Sequence, residues 1–278
     1  MTFLATSAAD ANGDGFGQLL AFADDGKLIG AFSDDPRIVD PRGLGVDPVD
    51  GLLFVNSGSN RILALDRCGR VVRATKIVDG LNPGGGNFGP DGRYCVGLRS
   101  ERTIMAFAPR LDTAGEYVLP PNVVPFPRGF AFGQDGTLFL ATGIGPSREG
   151  DNTILAFDSG RRILPSWRVS DPDLSPLDLA IAPNGNVVAS SEYPFGAEDA
   201  VTTIREYDRA DGHLVRILTP RSPAGLQKPR GLRFGSRGRL YCVARDGIVA
   251  FNFETGEYLD AVVWLPGLYG QAVIFFPD

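Results

Sequence analysis

A phrase beginning Pro-x-Gly recurs along the chain and limits the possible folds more than any other feature. Its clearest copy is Pro41-Arg42-Gly43-Leu44-Gly45-Val46-Asp47, followed by the turn Asp50-Gly51 and the apolar run Leu52-Leu53-Phe54-Val55. A polar loop through Asn60-Arg61 then leads into a third run that ends at Leu65. Further copies begin at Pro83, Pro127, Pro176 and Pro229, with inter-strand turns Asp91-Gly92, Asp135-Gly136, Asn184-Gly185 and Arg237-Gly238. Asx-Gly pairs between short apolar runs are hairpin signals, because both residue types accept the left-handed backbone of a tight turn. The third residues of the phrase are Gly43, Gly85, Gly129, Asp178 and Gly231, spaced by 42, 44, 49 and 53 positions. A period of about 40 to 50 residues with four short strands per unit is the signature of propeller blades.

The sixth copy is split between the chain ends. The segment Tyr269-Gly270-Gln271-Ala272-Val273-Ile274-Phe275 reads as a first strand, and Phe3-Leu4-Ala5-Thr6 matches the second-strand run Phe139-Leu140-Ala141-Thr142. Pairing the two ends removes the open edges that an incomplete ring would expose. The pattern therefore predicts an all-β fold: a six-bladed β-propeller of four-stranded antiparallel blades, one domain over residues 1–278. Its closing blade is shared between the N- and C-termini. This reading also accounts for the 36 Gly and 21 Pro residues, which punctuate hairpins.

Composition then narrows the chemistry. A single histidine, His213, leaves no basis for a histidine-built zinc site, and a Ser-His-Asp triad would rest on it alone. The net charge of −6, with no basic run, argues against nucleic acid as a partner. No apolar stretch reaches the length of a membrane span. Cys68, Cys95 and Cys242 are odd in number and lack CxxC spacing, so neither a disulfide framework nor a metal knuckle is expected. Cys95 and Cys242 each sit in a Tyr-Cys-Val triplet and read as small buried hydrophobes. No leader is visible in Met1-Thr2-Phe3-Leu4-Ala5-Thr6, though one removed beforehand would leave no trace, and the expectation is a cytoplasmic monomer.

The phrase Pro-x-Gly-Leu-x-Val-Asp…Gly-x-Leu-Phe-Val…Asn-Arg-Ile at residues 41–62 resembles an NHL repeat. The whole chain resembles six-bladed NHL and SMP-30/gluconolactonase-like propellers. The resemblance implies that first strands line a central channel. It also implies that the residue between Pro and Gly sits near the channel's upper mouth, where relatives keep catalytic or metal-binding side chains. The matching positions are Arg42, Gly84, Arg128, Leu177, Arg230 and Tyr269. The metal-dependent lactonases of this kind carry Asp and Asn at several such positions, and the related lyases rely on histidines. This chain has neither pattern, and His213 falls in a turn between third and fourth strands, at the opposite end.

Arg42, Arg128 and Arg230 thus come from different blades and are expected to converge with Tyr269 on a ligand-binding mouth. Converging guanidinium groups suit an anionic small molecule or an acidic peptide, since arginine recognises carboxylate and phosphate bidentately. The alternative is pairing with Asp178, Asp47 or backbone carbonyls. Asp178 stands where the other complete copies have Gly, and Glu192 ends the second strand of the same blade. The two read as a general acid–base pair or hard-metal ligands, against the alternative of an Asp178 ion pair to Arg128 or Arg230. Asp10, Asn12 and Asp14 precede Gly15 in a pattern like the start of a calcium loop, so a structural Ca²⁺ is possible there; a metal-free Asx-Gly turn is the alternative. Tyr193 and Phe195 lie in a long loop expected on the mouth face, to stack on a ligand or to cap the core. Gly84-Gly85-Gly86 lacks the Lys and helix of a phosphate loop. The functional expectation is a binding scaffold for an anionic ligand or a protein partner. The alternative is an SMP-30-like lactonase or a lyase with its site at the mouth.

Overall fold

The computed structural model describes residues 2–8, 15–77, 83–144, 151–218, 227–235 and 238–276. The chain opens with β1 (Thr2–Ser7), β2 (Gln18–Phe22) and β3 (Leu28–Ala31). Blade 1 holds β4 (Leu44–Val46), β5 (Leu53–Ser57), β6 (Arg61–Leu65) and β7 (Val71–Ala74). Blade 2 holds β8 (Pro83–Phe88), β9 (Tyr94–Leu98), β10 (Thr103–Phe107) and β11 (Glu116–Tyr117). Blade 3 holds β12 (Pro127–Phe132), β13 (Leu138–Thr142), β14 (Thr153–Phe157) and β15 (Ile163–Val169). Blade 4 holds β16 (Pro176–Ile181), β17 (Val187–Tyr193), β18 (Val201–Tyr207) and β19 (Leu214–Leu218). Blade 5 holds β20 (Leu232–Phe234), β21 (Arg239–Ala244), β22 (Gly247–Asn252) and β23 (Glu257–Trp264), and the chain ends with β24 (Gly270–Phe276).

Each blade is a four-stranded antiparallel meander, and the sixth sheet has the order β24-β1-β2-β3. Its β24 pairs with β1 from Thr2↔Phe276 to Thr6↔Ala272, so the ends of the chain close the ring as the repeat predicts. The first strands β24, β4, β8, β12, β16 and β20 touch one another in a closed cycle around the axis. Among the described residues there is no α-helix, and no helix is long and apolar enough to cross a membrane.

The local chemistry explains both ends of each hairpin. In the turns between first and second strands, Asp50, Asp91, Asp135 and Asn184 each accept a bond from the backbone N–H two residues on. Near the axis, crowding between first strands leaves no room for a side chain at two of the Pro-x-Gly glycines. A Cβ on Gly129 would lie 2.5 Å from the Cα of Asp178, and one on Gly231 would lie 2.6 Å from the Cα of Ala272.

The hydrophobic core is divided into six, one cluster between each pair of neighbouring blades. Phe139 and Ala141 of blade 3 pack with Leu179, Val187 and Tyr207 of blade 4, and Trp167 covers the same layer. Leu4 and Leu19 of the closing blade meet Leu44, Leu53 and Val55 of blade 1 in the same manner. Second strands such as β9 and β13 are buried on both faces and show no in–out alternation. Outer strands such as β3 and β19 are largely exposed. Cys95 and Cys242 are buried in β9 and β21 as expected, and burial pushes the Cys95 thiol up to about 12.

Candidate functional site

One end of the channel opens into a cavity of about 290 Å³. All six positions singled out between Pro and Gly, namely Arg42, Gly84, Arg128, Leu177, Arg230 and Tyr269, line it. Three further cations line it as well: Arg99, Lys228 and Arg233. Among the described residues Asp178 is its only acidic lining residue.

The cations are held differently on the two sides. Arg230 donates to the fully buried carboxylate of Glu192, whose other oxygen accepts from the Gly196 N–H at 3.1 Å. Arg233 reaches across beneath the mouth and donates through Nη2 to the Leu44 carbonyl at 3.0 Å. Lys228 lies 5.2 Å from the Tyr269 ring centroid. On the side formed by blades 1 to 3, no arginine lining the mouth is hydrogen-bonded to a carboxylate among the described residues; Asp40 acts on Arg42, and Glu192 on Arg128, only through space. Arg128 donates through Nη1 to Ser175 Oγ at 3.0 Å and to the Pro176 carbonyl at 2.9 Å, both neutral groups. Arg42 is half-buried, and burial lowers its pKa. Arg99 stacks on Phe126 at 5.3 Å, and its buried Nε has no hydrogen-bond partner among the described residues.

The electrostatic cost shows in these groups. Burial, then the charges of Arg42, Arg128 and Arg230, pushes Arg99 down to about 9. Burial and Arg230 push Arg128 down to about 10. Both remain cationic at neutral pH, since a guanidinium is very hard to deprotonate.

Arg99 is the residue that sequence reasoning missed. Strand register places it: Pro83 pairs with Leu98 and Pro176 pairs with Ser191, so Arg99 in blade 2 occupies the place of Glu192 in blade 4. In blade 3, Pro127 pairs with Thr142, which puts Gly143 at that place. A Cβ there would lie 2.2 Å from the Arg128 guanidinium carbon, so the missing side chain makes room for Arg128.

Asp178 makes no ion pair with Arg128 or Arg230, contrary to one alternative from the sequence. Its carboxylate accepts from the Leu232 N–H of the next blade at 2.9 Å, and the carboxylate on Arg230 belongs to Glu192. Burial pushes the Asp178 carboxyl up to about 6, only partly offset by that backbone bond and by Arg233. Glu192 does not line the cavity. Phe195 lies over the guanidinium groups of both Arg128 and Arg230, at 4.6 and 5.3 Å, so it roofs the mouth and leaves the core to other residues.

His213 is exposed in the turn between β18 and β19, at the far end, with Nδ1 2.6 Å from Asp211. Together with Asp208 it forms a group whose potential ligand atoms lie within 4.8 Å of one another, a possible acidic metal site. Asp10, Asn12 and Asp14 lie outside the described residues.

No protein-family model matches the sequence, and no curated protein matches it. Solved structures do match. A protein of unknown function from Bacteroides caccae superposes with a TM-score of 0.70 at 12% identity, over 98% of this chain and 97% of the other. Virginiamycin B lyase from Staphylococcus aureus gives 0.65 at 14%, over 98% and 88%. A gluconolactonase from Xanthomonas campestris gives 0.66 at 17%, over 84% and 79%. What is shared is the fold. The chain is a six-bladed propeller similar to these lyases and lactonases, with a mouth of arginines.

Proposed function

We propose that the protein binds a small anionic molecule at the channel mouth. The observation that carries this reading is Arg99: a half-buried cation whose buried Nε lacks an acceptor among the described residues, with like charges nearby that an anion would neutralise. The cavity's size suits a small molecule better than a folded peptide segment. Calorimetric titration with a panel of small carboxylates, phosphates and sulfate, against neutral analogues of equal size, tests it. Binding restricted to anions and weakened at least tenfold in Arg42→Gln is expected. Equal binding of neutral analogues, or no binding by any anion, overturns the reading.

A second reading rests on Asp178. A carboxyl lining the cavity and held protonated up to about pH 6 is suited to proton transfer with a bound anion, as in a lactonase or lyase acting on an acidic substrate. Here Glu192, tied to Arg230 and Gly196, positions the arginine and transfers no proton. Asp178→Asn is then expected to abolish turnover of any substrate found while leaving anion affinity within a few-fold. Undiminished turnover in that variant excludes Asp178 as the acid–base group.

A further inference from the structure

The charge of the mouth is lopsided, and this narrows the ligand further, on the reading that the mouth binds an anion. Arg230 already has Glu192, and Arg233 is engaged by main-chain carbonyls. Among the described residues, Arg42, Arg99 and Arg128, from three consecutive blades, are the arginines of the mouth that neither bond a carboxylate nor reach across beneath the mouth as Arg233 does. Lys228 lies against Tyr269, and Asp40 and Glu192 act on Arg42 and Arg128 only through space. We propose that these three form a subsite for the phosphate group of a small phosphomonoester, whose organic body extends toward Phe195 and Tyr269.

The reasons are stoichiometric and geometric. A single carboxylate brings one charge and two oxygens, enough to satisfy one guanidinium fork. Three guanidinium groups from three blades, none hydrogen-bonded to a carboxylate among the described residues, call for more charge and more acceptors than one carboxylate brings. A phosphomonoester supplies close to two charges at neutral pH and three terminal oxygens. The guanidinium groups are also preset for such a ligand. Phe126 lies against Arg99 and Phe195 over Arg128, which holds both guanidinium groups in place at the cavity wall. Arg128 is further fixed by Ser175 and Pro176, and Gly143 leaves its guanidinium the space it fills. Among the other lining residues Asn87, Asp178, Tyr269 and Gln271 carry hydrogen-bonding side chains beside apolar Leu177, Leu179 and Phe130, which suits a body with both hydroxyl groups and carbon. A volume of about 290 Å³ limits that body to a few carbons beyond the phosphate.

Thermal melts at constant ionic strength with inorganic phosphate, glycerol 3-phosphate, succinate and glycerol test the proposal. At a hundredfold excess over Kd, a bound ligand is expected to raise Tm by about 5 °C or more. Glycerol 3-phosphate and phosphate should do so, with succinate at least tenfold weaker and glycerol without effect. Arg99→Gln should lose the shift while melting no lower than the unsubstituted protein without ligand, because removing an unbalanced buried charge relieves repulsion. Arg42→Gln, on a different blade, keeps the test open if Arg99→Gln fails to fold. If succinate stabilises as well as the phosphates, the phosphate assignment falls while anion binding stands. If no anion shifts Tm, both fall. If the phosphate shift survives in both variants, the subsite is not these arginines.

Discussion

Asp178 is the residue at which charge, burial and fold meet. Its carboxyl is raised from an ordinary value near 3.8 to about 6, so between those limits the folded chain holds a proton that the unfolded chain has released. Stability must then fall as pH rises through that window, by at most about 3 kcal/mol. In Asp178→Asn this contribution is absent. Urea denaturation of both proteins from pH 4 to 7 should show the difference in stability growing with pH and levelling off above about 6.5. The same titration acts on the mouth: below pH 6 the only lining carboxyl is neutral, so anion affinity should rise in the unsubstituted protein and not in Asp178→Asn. The position was visible in the sequence as a break in the Pro-x-Gly rule. Its partner was not, because Leu232 lies 54 residues away and contributes a main-chain N–H, which no side-chain pattern announces.

At the scale of elements, the hairpins and first strands were legible because they repeat. Asx-Gly turns and Pro-x-Gly phrases recur with side-chain chemistry that dictates the backbone, and all six expected mouth positions face one cavity. Arg99 escaped because its place depends on strand register with Pro83, a pairing that carries no local signature. The loop joining β17 to β18 shows how such an element is used. It sets Phe195, more than half exposed, over two guanidinium groups, while Gly196 and Arg230 share the Glu192 carboxylate beneath. Cation–π contacts of this kind are worth about 0.5–2 kcal/mol depending on exposure. Phe195→Ala is therefore expected to weaken anion binding by several-fold in calorimetry, with a Tm change of no more than a few degrees. A large loss of Tm would instead make Phe195 part of the structural core.

For the whole molecule, the relevant contrast is between a net charge of −6 and a mouth in which cations outnumber carboxylates. The rest of the chain carries the excess of acidic groups, so the mouth is a local region of positive charge on an anionic protein. Screening acts over about 10 Å at 0.1 M salt. Association rates for anions, measured by stopped flow, should fall several-fold between 0.05 and 0.5 M salt, while neutral ligands show no such dependence. A salt-independent rate would mean that the guanidinium groups contribute no steering field.

Ring closure carries a consequence for how the protein comes into being. The strand that seals the circle, β24, is the last in chain order, and its partner β1 is the first. Tyr269 and Gln271, which complete the mouth, belong to that same final segment. During synthesis five blades can take shape while the ligand site remains unfinished, and the first strand waits for a partner roughly 270 residues away. On the proposed reading, competence to bind an anion thus arrives in the same step as the seal. Deleting Gly270–Phe276 should remove both together, giving an aggregation-prone product by size-exclusion chromatography and no anion-induced rise in Tm.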